Sequence, residues 1–232
     1  MMNNKVALII GANAILGSAL IHELSQIGYV TVGTTRQPNK ATIADYTLYA
    51  PDLSASANEV LEVQLNNLLS DNGLDLTVII ELAGFGCADE KLSSKTKEEM
   101  MAVNVFMPIY WAKAKPNIQH VLFSSCAVYG IEGTKGLNFY SSTKRTVERE
   151  MCRACSHLSI VRPTVIATNF AERAGLPAFP TRGFPSAEQV ARIVVRQAIL
   201  QDRKIVLPGL QAKLLHKVNL LSPRLAQFFL KV

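Results

Sequence analysis

The sequence predicts an α/β protein: a doubly wound parallel sheet of about seven strands with helices on both faces. Three observations lead there. Short, wholly apolar runs such as "VALII" alternate with longer stretches of helical periodicity. Hydrophobic residues make up 49% of the chain and charged residues 18%, a balance suited to strands covered on both sides. The first apolar run ends in glycine and feeds a helix without a gap, as "KVALIIGANAILG". At 232 residues the chain suits one such domain and is short for two. Residues 1–232 are therefore expected to form a single domain.

The elements follow in order. Residues 6–10 are apolar without interruption, and 15–26 repeats its apolar positions at helical spacing. Short β-prone runs at 30–34 and 47–49 supply the next two strands, and 59–69 a helix. "TVII" at 77–80 and "HVLF" at 120–123 read as buried strands on either side of a helix over 97–114. Helix 140–154, strand 159–161, helix 187–200 and strand 204–206 complete the alternation. Right-handed crossovers then put the helices on both faces of one sheet. Segment 170–185, with three prolines and two glycines, is the longest irregular piece and reads as a binding loop.

Composition excludes several classes. No apolar run nears the roughly 20 residues that cross a bilayer, and "MMNNK" precedes too short an apolar run for a secretory signal, so a cytoplasmic protein is expected. Cys152 and Cys155 spell C-x-x-C near His157, but no second pair accompanies them; reduced core cysteines and no metal site are expected. The net charge of +6 lies in the tail, where six Lys or Arg follow residue 202 with no acid. Basic residues are not interleaved with stacking aromatics, so no nucleic-acid partner is expected. In the tail, 208–232, apolar residues at helical spacing (Leu210, Leu214, Val218, Leu221) alternate with lone cations. Such a stretch either caps the sheet or covers a subunit interface, the plainer reading, or makes peripheral contact with an anionic membrane. A homodimer or tetramer is expected.

The opening turn is a candidate phosphate cradle. A strand leaving through glycine into a helix aims free N–H groups and a positive dipole end at what lies beyond. Gly11 and Gly17 take the outer positions of G-x-x-G-x-x-G, with Ala14 in the middle; the cradle runs from Gly11 through Asn13, Ala14, Ile15 and Leu16 to Gly17. The other reading is a plain tight turn. After the second strand comes "GTTRQ", without the acid that accepts from a ribose 2′-OH. Arg36, helped by Thr34 and Thr35, suits a 2′-phosphate, so NADP(H) is expected over NAD(H). Arg36 as a solvated strand end is the alternative.

A second constellation carries chemistry. "FSSCAVYG" follows the fifth strand, and "YSSTK" begins fifteen residues after Ser125. Tyr140 and Lys144, four apart, share a helix face, and a nearby ammonium favours the phenolate, so the phenol can act as general acid or base. A serine at a neighbouring strand end can bond the same substrate oxygen.

These residues resemble the short-chain dehydrogenases/reductases, of the NAD(P)-binding Rossmann-fold superfamily, over nearly the whole chain. "GANAILG" resembles that family's cofactor turn, "PDLSA" (Asp52, Leu53) its adenine-contacting segment, and "LAGFG" (Ala83, Gly84) the motif after its fourth strand. "MAVNVF" is similar to its catalytic-asparagine helix, here Asn104. "RPTVIAT" is similar to its sixth-strand segment, with Pro163, Ile166 and Thr168. The resemblance implies that Ser125 orients a carbonyl and Tyr140 exchanges the proton. It implies further that Lys144 holds the nicotinamide ribose and lowers the tyrosine pKa, and that Asn104 holds a relay water. Ile166 backbone and Thr168 would face the carboxamide. Ser125 is preferred to Ser124 because it stands four before the tyrosine of "SSxxxYG". Two departures stand out: Glu81 and Leu82 replace paired asparagines, and Ala14 replaces a glycine.

The expected function is an NADP(H)-dependent oxidoreductase interconverting a carbonyl and an alcohol on a small, partly apolar substrate. The alternatives are a dinucleotide-binding sensor or scaffold without turnover, and an epimerase or dehydratase of a nucleotide-sugar. Loops 86–95, 130–138 and 170–185 would choose the substrate. Phe85, Phe139, Phe170, Leu176, Phe179 and Phe184 there form either an apolar mouth or the closure of the core beneath.

Overall fold

The computed structural model describes residues 4–37, 41–50, 55–132, 134–176 and 183–230. Seven parallel strands form one sheet in the order β3-β2-β1-β4-β5-β6-β7. They are β1 (Lys5–Ile10), β2 (Val30–Thr35), β3 (Tyr46–Tyr49), β4 (Asp75–Glu81), β5 (Gln119–Phe123), β6 (Leu158–Val161) and β7 (Ile205–Val206). Helices alternate with them: α1 (Ile15–Gln26), α2 (Ala55–Asn72), α3 (Ser94–Met101), α4 (Met107–Ala114), α5 (Asn138–Ala154), the short α6 (Phe170–Arg173), α7 (Ala187–Val194), α8 (Leu210–Leu221) and α9 (Pro223–Leu230).

The period-2 alternation of buried strands sorts side chains between two layers. Ala7 and Ile9 of β1, Val78 and Ile80 of β4, and Val121 and Phe123 of β5 face α1 and α7. Val6, Leu8 and Ile10 of β1 and Ile79 of β4 face α2 and α4, where Trp111 is fully buried. β1 is thus apolar on both sides, the reason its run shows no polar alternation in sequence.

Two helices expected to be continuous are not uniform. Residues 97–114 form α3, a π-helical turn over Ala102–Phe106, and α4; α7 likewise passes into a π-helical turn, Val195–Leu200. Periodicity over such stretches is blind to one extra residue in a turn. In the first case the wide turn carries Asn104, which bonds outside its own helix.

Strand order reverses its direction of travel at β1 and β4, so their carboxyl ends, Ile10–Gly11 and Glu81–Gly84, flank a crevice. Ligands of open α/β sheets bind at such a switch point.

Candidate functional site

The turn after β1 is built backbone against backbone. Gly11 has φ +98°, and a Cβ there would stand 2.8 Å from the Ala83 nitrogen. Ala14 caps α1 without a side-chain bond, and the first helical hydrogen bond is Ser18 N–H donating to the Ala14 carbonyl. The N–H groups of Ile15, Leu16 and Gly17 therefore point out of the helix end. Gly17 lets the helix sit on the turn, since a Cβ would fall 2.5 Å from the Ala12 oxygen. Thr34 Oγ accepts from Gly11 N–H at 3.0 Å, and the Asn13 amide donates to Thr35 Oγ. These bonds tie the turn to the end of β2. The next residue, Arg36, is exposed, with no ion pair or hydrogen bond among the described residues. Free N–H groups, a positive helix end and a turn without obstructing side chains fit a pyrophosphate. Asp52 and Leu53 lie outside the described residues.

Ala83 carries the crevice to a second cluster. The next residue, Gly84, leaves room for two side chains: a Cβ there would come within 3.0 Å of Asn104 Oδ1 and 3.3 Å of Lys144 Nζ. Asn104 is fully buried and pinned on three sides. Its Nδ2 donates to the Phe85 carbonyl (2.9 Å) and Thr143 Oγ (3.1 Å), and its Oδ1 accepts from Phe85 N–H (3.1 Å). Lys144 Nζ donates to the carbonyl of Phe123, the last residue of β5, at 2.8 Å and lies 5.8 Å from the Tyr140 ring centroid. Ser125, two residues beyond that carbonyl, accepts from Ala127 N–H at 3.1 Å, and its hydroxyl lies beside the Tyr140 phenol, where it favours the phenolate. The neighbouring Ser124 hydroxyl is buried without a hydrogen-bond partner. Of the two serines, Ser125 is the one that meets Tyr140.

Burial dominates the electrostatics. It pushes the Tyr140 phenol up to about 12, and the Ser125 hydrogen bond only partly opposes it. The sequence expectation of a phenol lowered by Lys144 is not met in this structure, because burial raises the phenol and the ammonium is held by a backbone carbonyl. Lys144 itself is brought down to about 8 by burial, with Glu148 one turn on working the other way.

Segment 163–168 leaves β6 along the same sheet edge. Cys126 N–H donates to the Pro163 carbonyl at 2.8 Å, Thr168 N–H to Ile166 at 2.7 Å, and Ile166 packs against the α1–α7 layer. Phe85, Phe139, Phe170 and Leu176 form one apolar cluster with Tyr140, Met100 and Leu137. The sequence leaves open whether these side chains form a mouth or close the core; they pack in the cluster that contains Tyr140, with Phe170 against its ring. Phe179 and residues 177–182 lie outside the described residues. Two participants carried no sequence signal: Thr143, which holds Asn104, and His120. Glu81, noted only as a departure from a motif, meets His120 at 2.6 Å, both side chains fully buried, while His120 Nε2 meets the Lys115 carbonyl at 3.0 Å. Cys152 and Cys155 are free, and no cluster suited to a metal occurs among the described residues.

A seven-stranded parallel sheet with a glycine-rich first turn at the switch point defines the dinucleotide-binding class of α/β folds. The model of the NAD dependent epimerase/dehydratase family matches residues 7–185, and the chain belongs to that family. Its fold is that of the short-chain dehydrogenases/reductases. Similar structures include a short-chain dehydrogenase/reductase from Burkholderia phymatum in complex with NAD (TM-score 0.72, 17% identity, 95% of this chain and 95% of that chain). A short-chain dehydrogenase from Sphingobium yanoikuyae in complex with NADPH superposes with TM-score 0.70 at 15% identity, covering 94% of this chain and 95% of that one. The 3-ketoacyl-(acyl-carrier-protein) reductase of Brucella melitensis, complexed with NADH, gives 0.69 at 16% identity, covering 90% and 98%. No curated protein matches the sequence.

Proposed function

We propose that the protein is an NADP(H)-dependent oxidoreductase that interconverts a carbonyl and an alcohol on a small, partly apolar substrate. One observation carries the reading: Gly11 of the phosphate turn abuts Ala83, and Gly84 beside it abuts both Lys144 and Asn104, so cradle and cluster adjoin at the carboxyl ends of β1 and β4. Bound there, the nicotinamide would supply or accept a hydride. Ser125 would donate a hydrogen bond to the substrate oxygen, and Tyr140 would give that oxygen its proton in reduction or take it in oxidation. A phenol kept protonated by burial is suited to the donor role. Lys144 would hold ribose hydroxyls in place of the Phe123 carbonyl. Asn104, locked by Phe85 and Thr143, would keep its stretch of backbone still beside them. The preference for NADP(H) rests on Arg36, exposed at the end of β2 and without an ion pair among the described residues.

The test is a nicotinamide absorbance assay over a panel of aldehydes, ketones and alcohols, with Tyr140→Phe beside the wild type. The expected loss is roughly 100- to 10,000-fold in kcat with dinucleotide affinity kept within a few-fold. Equal rates in both proteins remove the assigned acid; dinucleotide binding without turnover on any compound favours a sensor. The family model's description favours one further reading, epimerase or dehydratase chemistry on a nucleotide-sugar. A dinucleotide that stays bound through turnover would mark it.

A further inference from the structure

We propose that α8 and α9 form a docking face for an anionic phospholipid surface. Seven of the seventeen large hydrophobic side chains exposed among the described residues fall in these two helices. Leu210, Leu214 and Leu221 of α8 are 78%, 62% and 86% exposed. At 3.6 residues per turn they lie within about 40° of one another, a ridge flanked on one side by Lys213 and Lys217. On α9, Leu225, Phe228 and Phe229 are at least half exposed, with Arg224 at the margin of their arc. The two Phe rings stand edge to face, 5.8 Å apart. Neither helix contains an acid.

The inner face holds this surface in place. Tyr129 Oη meets His216 Nδ1 at 2.8 Å, Asn219 Oδ1 accepts from Gly130 N–H at 2.9 Å, and the Leu230 carbonyl accepts from Lys135 N–H at 3.0 Å. Ala212 and Ala226 are fully buried. The helices are thus fastened to the segment that leads into α5 and Tyr140, and the outward leucines and phenylalanines are presented by packing, not by fraying. Large exposed apolar side chains grouped this way mark an interaction surface.

Charge selects the occupant. Against a second copy of the same face, three cations would meet three more with no carboxylate on either helix to separate them. Phospholipid headgroups neutralise the cations, while the exposed Leu and Phe side chains enter the headgroup–acyl boundary to about 5–10 Å. No described helix is long and apolar enough to cross a membrane, so the contact is with the surface. The inference is independent of the proposed oxidoreductase activity.

Flotation of the full chain with vesicles tests it. Phosphatidylcholine vesicles are compared with vesicles in which about a third of the lipid is phosphatidylglycerol. Three cations near the surface predict binding on the order of 100-fold tighter to the anionic vesicles, falling steeply with added salt. Leu214→Asp and Phe228→Asp should abolish flotation. Lys213→Glu with Lys217→Glu, which alters only exposed side chains, should do so without changing the melting temperature. Recovery equal on both vesicle types, or absent from both, overturns the proposal. So does a dimer by sedimentation that Leu214→Asp dissolves while vesicles go unbound, the mark of a second copy; capture by an acidic protein without vesicle binding overturns it equally.

Discussion

The Phe170 ring lies against that of Tyr140, with centroids 5.6 Å apart and planes inclined at 52°. Gly86 makes the approach possible, since a Cβ there would stand 2.9 Å from Phe170 Cζ and 3.5 Å from Tyr140 Cδ2. Phe170 is therefore part of the desolvation that holds the phenol at about 12. Phe170→Ala should admit water and move the phenol toward its ordinary value near 10. The phenolate, the form that serves as base, then appears at lower pH. The pH profile of alcohol oxidation should shift its rising limb down by about one unit; an unmoved limb would place Phe170 outside the control of Tyr140.

Lys144 predicts a pH dependence of dinucleotide affinity. The free protein loses this ammonium as pH rises through about 8, so affinity should be full at pH 7 and weaken by up to about tenfold per pH unit above 8. Fluorescence titration at neutral and alkaline pH measures it, and Lys144→Met should bind weakly with the slope gone. Stability moves the opposite way. Between about 8 and the unfolded value near 10.4 the unfolded chain binds the extra proton, so the cost of burying a charged lysine is relieved as pH rises.

The proposed preference for NADP(H) makes a prediction at Arg36. Arg36→Ala should lower kcat/KM for NADPH by roughly 10- to 100-fold, the equivalent of one or two charge-assisted hydrogen bonds, and leave NADH within a few-fold. Equal effects on both cofactors would assign Arg36 to a general electrostatic role.

The Glu81–His120 pair predicts a stability signature. Burial works against a charged His120 ring, but the Glu81 carboxylate and the Lys115 carbonyl outweigh it and raise the pKa. A raised folded value means that the pair's contribution is complete below about pH 6.5 and is lost as pH rises through the folded pKa. His120→Ala leaves the Glu81 carboxyl buried without its partner and should cost about 3–5 kcal/mol. Urea unfolding across this range should show wild-type stability falling with pH and a flatter curve for the variant.

β1, β4 and β5 were legible because each holds a short apolar run ending at a turn, and the "YSSTK" pair because residues four apart on a helix share a face. The π-helical turn at Ala102–Phe106 was not, and the bonds Asn104 makes there to Phe85 and to Thr143 on another helix join positions far apart in the chain. Glu81 was visible only as an oddity. Its meaning comes from β5, where a register of Glu81 beside Leu122 and Ile79 beside His120 puts the carboxyl and the imidazole on one sheet face. The exposed leucines of α8 were readable as periodicity, but which arc faces water depended on Ala212 finding Tyr129 and Cys126.

By itself the sequence determined the order of elements, the glycine turn and the residue types that meet beyond it, because these depend on neighbours a few positions apart. Tertiary structure alone decided the state of those groups. Tyr140 is held protonated by a ring thirty positions away and Lys144 is turned to a strand carbonyl, since desolvation and hydrogen bonding are properties of surroundings that only the folded chain assembles.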